Sequence, residues 1–268
     1  MSFTRVSKSQ PCPVCKKSDW CRVFADGWVE CMRVQSDRPA KSGGWMHGQC
    51  PVPLRMTPRV PRSAPPPTIN ATKLMREWLA ATTATALAEF AASLGVSTAS
   101  LVAVGAAWAA PHAAWAFPMC DGYGNVVGIR LRNEKGKFAV RGSRQGIFTT
   151  TDHGPQTTVP QKTLFVCEGP TDTAAAVELG LFAVGRPNCC CGGPEIKVFA
   201  RRHNCRRVVI ISDNDKPGLD GARKVGGELK LPFAVYVPPA KDVREFVRLG
   251  GTRAMIENTL KGIVWQNG

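Results

Sequence analysis

The sequence predicts an α/β chain: a parallel sheet flanked by helices, preceded by a small antiparallel basic subdomain and, at the N-terminus, by a cysteine-rich ribbon. Three observations predict it. The apolar runs Leu164–Cys167 and Val208–Ile211 both break abruptly into a loop rich in Gly, Pro and Asp. Short runs of this kind read as buried parallel strands whose following loops form one face. From about residue 162 strand and helix patterns alternate, the signature of βα units. The first 50 residues hold five of the eleven cysteines.

Residues 1–50 also carry His47, Trp20, Trp28 and Trp45, in a segment too short for an ordinary core. Such units are usually stabilised by a metal. Cys12-Pro-Val-Cys15 is a turn that brings two thiolates to one zinc, and Cys31 follows an apolar Trp28-Val29 pair, as in a zinc ribbon. A second Cys-x-x-Cys would need cysteine at 34, where Val34 stands. His47 is therefore the first choice for the fourth ligand, with Cys21 and Cys50 behind it. Trp20 and Trp28 are expected in the small core, although exposed tryptophans beside Arg33 and Arg38 would also suit stacking on single-stranded bases.

Residues 51–68 contain seven prolines and three arginines without an acid, which reads as an extended basic linker. Residues 69–111 turn helical, with Leu74, Trp78 and Leu79 on one face and Leu87, Phe90, Ala91 and Leu94 on another, stopped by Gly95. Ser97 is placed to cap a further short helix. Residues 112–161 alternate, with Asp121-Gly122 and Lys135-Gly136 as turn signals. That β subdomain carries Arg130, Arg132, Lys135, Lys137, Arg141 and Arg144.

Residues 162–268 form the α/β domain: strands 163–167, 182–184, 207–212 and 233–237, and helices 171–179, 194–203, 218–229, 242–249 and 252–261. Gly185-Arg186-Pro187 and Gly192-Gly193 close the second strand's exit, where backbone amides can approach a phosphate and Arg186 can assist. Cys189, Cys190 and Cys191 are adjacent, so they are expected in a loop and not around a second metal.

At 268 residues and 44% hydrophobic content the chain can bury a substantial core, which excludes a disordered protein. Thirty-five basic against 20 acidic residues leave a net charge of +15, a field that attracts polyanions, nucleic acid first among them. No stretch approaches the ~20 apolar residues that span a bilayer and the start lacks a secretion signal, so a cytoplasmic protein with reduced cysteines and no membrane partner is expected.

The chemistry concentrates at two strand ends, Glu168-Gly-Pro-Thr-Asp172 and Asp213-Asn-Asp215-Lys-Pro-Gly218. Carboxylates crowded there repel one another unless cations neutralise them, and oxygen ligands suit Mg²⁺ or Mn²⁺. Asp172 is a helix cap or an outer-shell carboxylate. Asp242, after the last strand, reads as a helix N-cap with a further carboxylate as the alternative.

A glutamate on one strand end and Asp-x-Asp on another, 45 residues later (213 − 168), resembles the Toprim domain of bacterial primases, topoisomerases, OLD-type nucleases and RecR proteins. The upstream segment Phe117–Arg132 with Lys137-Phe138, Gly142-Ser143 and Ile147-Phe148 looks like the basic region that precedes Toprim in DnaG-type primases. A zinc module, then this region, then Toprim is also the primase order. The resemblance implies synthesis of RNA primers on single-stranded DNA from nucleoside triphosphates, in a primase of phage, plasmid or mobile-element type. By it, Glu168, Asp213 and Asp215 hold Mg²⁺, with Glu168 as metal ligand or general base. Arg130, Arg132, Lys137, Arg141 and Arg144 bind template or nucleotide, Arg132 and Lys137 facing the cleft.

A replicative helicase is the protein partner this resemblance suggests. No Gly-x-x-x-x-Gly-Lys-Ser/Thr loop occurs, which excludes a fused P-loop helicase, and a C-terminal helicase-binding domain is not expected. The rivals are an accessory zinc and Toprim DNA-binding protein of replication or recombination, and a Toprim nuclease. A topoisomerase is disfavoured, because its nucleophile would have to be Tyr123 or Tyr236, both in strand or turn contexts.

Overall fold

The computed structural model describes residues 3–48, 69–150, 163–188 and 191–268. The expected linker 51–68, Cys50, Cys189, Cys190 and the end of the basic subdomain lie outside the described residues. The chain divides into two units, Met1–Pro65 and Pro66–Gly268.

In the first unit, β1 (Phe3–Arg5), β2 (Arg22–Phe24), β3 (Val29–Cys31) and β4 (Trp45–His47) form an antiparallel sheet in sequential order. Its interior is small, with Cys12, Cys21, Val23, Val29 and Cys31 buried together. Trp20 corrects the sequence expectation: it is 76% exposed at φ 68°. The reason is local, since its neighbour Cys21 turns inward to the cysteine group and leaves the indole outside. Trp28 is half-buried beneath the Arg38 guanidinium, 5.2 Å from the ring centre.

The second unit begins with α1 (Ala71–Ala81), capped by the Asn70 side chain on the Lys73 amide, and α2 (Ala84–Leu94), which ends at left-handed Gly95. Ser97 caps α3 (Thr98–Ala103) by accepting from the Ser100 amide. The buried stripe of α1 is Ala71, Met75 and Trp78, whereas Leu79, expected on that face, is 42% exposed. The helical stretch also ends earlier than its alanine content suggests, because Ala107–Ala109 is a strand, β5. Alanine favours helix intrinsically, but here these small side chains let α1 pack close to the sheet.

Strands β5, β6 (Ala114–Cys120), β7 (Val126–Asn133) and β8 (Gly136–Ala139) form an antiparallel meander. All seven residues of β6 are buried because both its faces are covered. Ala114 and Ala116 meet α1, while Trp115, Phe117 and Met119 enter the main core on the other side.

The α/β part contains β9 (Thr163–Glu168), α4 (Gly169–Glu178), β10 (Ala183–Arg186), α5 (Gly193–Arg202), β11 (Arg207–Ile211), α6 (Lys216–Glu228), β12 (Phe233–Tyr236), α7 (Val243–Arg248) and α8 (Arg253–Lys261). The strands are parallel in the order β10-β9-β11-β12. Alternation sorts their side chains between two cores. Phe165, Cys167, Val209 and Ile211 face one core with α4, α7 and α8; Leu164, Val166, Val208 and Ile210 face another with α5 and α6. Ile147 bridges back to Cys120 and Phe148 to Gly185, so one short segment joins the basic meander to the edge strand β10. Gly185 has no room for a side chain there, since a Cβ would lie 2.1 Å from Thr173 Oγ1.

Candidate active site

Parallel register brings the acids to one edge of the sheet. Ile210 pairs with Val166, so Glu168 and Asp213 emerge just beyond the same end of the neighbouring strands β9 and β11. Glu168 ends β9 and precedes α4, with Oε2 4.0 Å from Nη2 of the fully buried Arg186 at the end of β10. The Asn214 amide donates to the Lys241 carbonyl at 2.9 Å, which ties the Asp213–Asp215 loop to the loop carrying Asp242.

The side chains sense this crowding. Burial, then the charges of Glu168, Asp242 and Asp215, push the Asp213 carboxyl up to about 6, against a smaller opposing effect of Lys137. Burial raises Asp172 to about 7, reinforced by Asp242 and Asp213 and opposed by Arg244 and Lys137. Oδ1 of Asp172 is buried without a hydrogen bond among the described residues. A cluster whose members resist ionisation, with an orphaned carboxylate oxygen inside it, is a donor set suited to a hard divalent cation.

Asp215 also N-caps α6, its Oδ1 accepting from the Gly218 amide at 2.7 Å. Asp242 N-caps α7 by accepting from the Glu245 amide at 2.7 Å, and its Oδ2 accepts from Arg244 Nη2 at 3.0 Å. Asp172, in the first turn of α4, makes no cap. Arg244 is the residue that sequence reasoning missed: it lies between Asp172 and Asp242, contributed by the helix that Asp242 starts. The local pattern Asp242-x-Arg244 was its only signal.

The basic sheet supplies the opposite wall. Arg132 donates from Nη1 to Thr171 Oγ1 at 2.8 Å, and burial pulls its pKa below the ordinary value. Lys137 Nζ would stand 3.7 Å from a Cβ on Gly169, and its charge acts on Asp172 and Asp213. Arg130 reaches the Pro187 carbonyl at 3.4 Å, beside the exit of β10. Arg141 and Arg144 are exposed, and the Arg144 charge acts on Asp121 in the β6–β7 turn. Arg186, expected to assist at a phosphate, is wholly buried, with Nη2 4.0 Å from Glu168 Oε2.

The N-terminal unit holds a separate centre. One sulfur each from Cys12, Cys15, Cys21 and Cys31 lies within 4.8 Å of the others. Cys15 Sγ and Cys21 Sγ are 3.7 Å apart, and Cys21 Sγ and Cys31 Sγ 3.9 Å. Thiolates ~2.3 Å from zinc at tetrahedral angles are separated by roughly 3.8 Å, so the spacing fits the ion. The amides of Met32 and Val34 donate to the sulfurs of Cys21 and Cys31. His47, the first choice for the fourth ligand, is not in this group: it lies on β4 with Nε2 3.1 Å from the Val34 carbonyl. Cys21 takes the position, because it lies just before β2, which pairs with β3, where Cys31 stands.

No family model matches the sequence, and no curated protein is similar to it. Solved structures are. The DnaG primase catalytic domain bound to single-stranded DNA superimposes with a TM-score of 0.56 at 16% identity, over 73% of this chain and 78% of that one. The Aquifex aeolicus primase, comprising zinc-binding and RNA polymerase domains, gives 0.58 at 13% identity, over 73% of this chain and 60% of that one. The primase fragment of the bacteriophage T7 primase-helicase gives 0.50 at 18% identity, over 96% of this chain and 99% of that one. The chain therefore has the fold of DnaG-type primases.

Proposed function

We propose that this chain, built on the DnaG-type primase fold, is a DNA primase that joins ribonucleotides on a single-stranded DNA template, of the kind carried by phages, plasmids or mobile elements. The observation that carries the proposal is geometric: parallel register brings Glu168 and the Asp213–Asp215 loop to the same end of neighbouring strands, that loop is tied to the Asp242 loop, and Arg132 and Lys137 lie against the start of α4 beside them. An acid cluster alone suits many metal sites; one faced by a basic sheet suits phosphoryl transfer to a polyanion.

Asp213, Asp215 and Glu168 are the residues assigned to Mg²⁺ or Mn²⁺, with Asp172 and Asp242 behind them. Bound there, the ions would supply charge neutralisation for the attacking 3′ oxygen and the departing pyrophosphate. Glu168 is positioned by Arg186 and is the candidate to accept the proton of the sugar hydroxyl. Arg132 and Lys137 hold the phosphates of template or nucleotide against the acids, with Arg130, Arg141 and Arg144 extending the basic surface along the template. Cys12, Cys15, Cys21 and Cys31 hold zinc, which folds the N-terminal unit. The attraction of a chain of net charge +15 to polyanions fits a DNA partner.

The test is synthesis on diverse single-stranded templates with labelled nucleoside triphosphates and Mg²⁺ or Mn²⁺. Template-dependent products that disappear in Asp213→Asn and Glu168→Gln protein support the proposal. Tight DNA binding without product identifies an accessory protein instead, and nicking of plasmid DNA identifies a nuclease.

A further inference from the structure

The acids at the strand ends fall into two groups that differ in what already holds them. Both oxygens of Asp242 are committed within the protein: Oδ1 accepts from the Glu245 amide at 2.7 Å and Oδ2 from Arg244 Nη2 at 3.0 Å. Asp172 is only 6% exposed, and Arg244 Nε lies 4.0 Å from its Oδ1. Arg132 donates to Thr171, next to Asp172 in the chain, and the charges of Asp172 and Asp242 both act on it. Two guanidiniums thus face two carboxylates, and this half of the cluster is balanced without metal. Glu168, Asp213 and Asp215 make the other half. The charges of Glu168 and Asp215 both act on Asp213, and the cations beside this half are Lys137 and Arg186. Three carboxylates against two cations leave the uncompensated negative charge here.

We infer that Arg244 stands in for a divalent cation between Asp172 and Asp242. The protein alone then holds one Mg²⁺ or Mn²⁺ ion, on Glu168, Asp213 and Asp215, and a second ion arrives only with the phosphates of a nucleoside triphosphate. The inference deepens the primase reading and rests on it for the use made of the ions. The number of ions bound does not depend on it.

A guanidinium suits this place. Its planar fork reaches two carboxylates at once, its charge is permanent, and its weak hydration eases the partial burial seen here, with 24% of the side chain exposed. A divalent ion between the same acids would have to break a hydrogen bond at Asp242 and sit beside a fixed positive charge. Arg244 is therefore a positioning residue: it keeps two carboxylates from taking up metal. Oδ1 of Asp172, which has no hydrogen bond among the described residues, is the donor that a second ion would use once the arginine is gone.

The experiment counts Mn²⁺ ions on the full zinc-loaded chain without nucleotide or template, from the loss of the free-ion signal in electron paramagnetic resonance. Mn²⁺ competes poorly with zinc for thiolates, so the cysteine centre does not enter the count. Native protein is expected to bind one ion, which Asp213→Asn removes. Arg244→Leu is expected to bind two, and Arg244→Leu combined with Asp172→Asn one again. Asp172→Asn alone, which keeps the arginine and the shape of the side chain, still binds one and guards against a folding defect in the leucine variant.

Two ions on the native protein overturn the inference, even if that protein makes primers. So does loss of the ion from Asp172→Asn, which would make Asp172 a ligand despite the arginine, or an ion retained by Asp213→Asn. A single ion on Arg244→Leu protein that still binds its first overturns it as well. If the expected counts are found in a protein that makes no primer, the inference stands and only the primase reading fails.

Discussion

Arg244 lies 4.0 Å through Nε from Oδ1 of the buried Asp172, and this guanidinium is the only ion-pair partner of that carboxylate among the described residues. Its Nη2 holds Asp242 at 3.0 Å as well. One cation thus sits between two acids from helices 70 residues apart (242 − 172), where the metal-free protein needs positive charge.

Removing that cation leaves buried like charges facing each other. Arg244→Leu is expected to destabilise metal-free protein by about 2–4 kcal/mol at pH 8. Asp172→Asn added to it should recover much of the loss. Urea denaturation of the single and double variants measures the coupling, and additive effects would refute it.

The raised carboxyls make stability depend on pH in a defined direction. Asp172 at about 7 and Asp213 at about 6 bind protons in the folded protein that the unfolded chain, at 3.8, has already lost. Their contribution is present in full below the unfolded value and disappears as pH rises through 6 and 7. In chelator, thermal midpoints should fall from pH 5 to pH 8, and Asp172→Asn should flatten the fall. Mg²⁺ should oppose the fall at pH 8 by neutralising the same cluster. A midpoint that rises over this range in chelator contradicts the assignment.

Zinc should follow the four sulfurs and ignore the imidazole. Cys21→Ser is expected to lose the metal and melt the β1–β4 sheet, while His47→Ala retains stoichiometric zinc. Native mass spectrometry of both variants checks the ligand set. Zinc loss from the His47 variant would restore the reading made from the sequence.

If Arg132 and Lys137 each neutralise a phosphate of single-stranded DNA, replacing either by Gln should lower the slope of log K against log salt by about 0.7. The weakening should be alike for all template sequences, because phosphates carry no sequence information. Filter binding at several salt concentrations measures it.

Much of this was legible in the chain. The strands 163–167 and 207–212 were visible because every residue in them is apolar or a boundary signal, and Ser97 and Gly95 marked helix ends through their own capping chemistry. Leu79 and Ala107–Ala109 were misread for a common reason: helical propensity acts within a few residues, whereas which face is covered depends on α1 meeting β5–β7.

By itself, then, the sequence determined the βα alternation, the acids at two strand ends, the Cys12-Cys15 pair and the basic meander, all properties of residues near one another along the chain. Tertiary structure alone decided that Cys21 and not His47 joins the sulfurs, that Arg244 stands between Asp172 and Asp242, and that Phe90 and Trp108 both meet Trp115. These are meetings of distant residues. They follow from strand register and helix packing, which bring together groups whose spacing in the chain carries no trace of their contact.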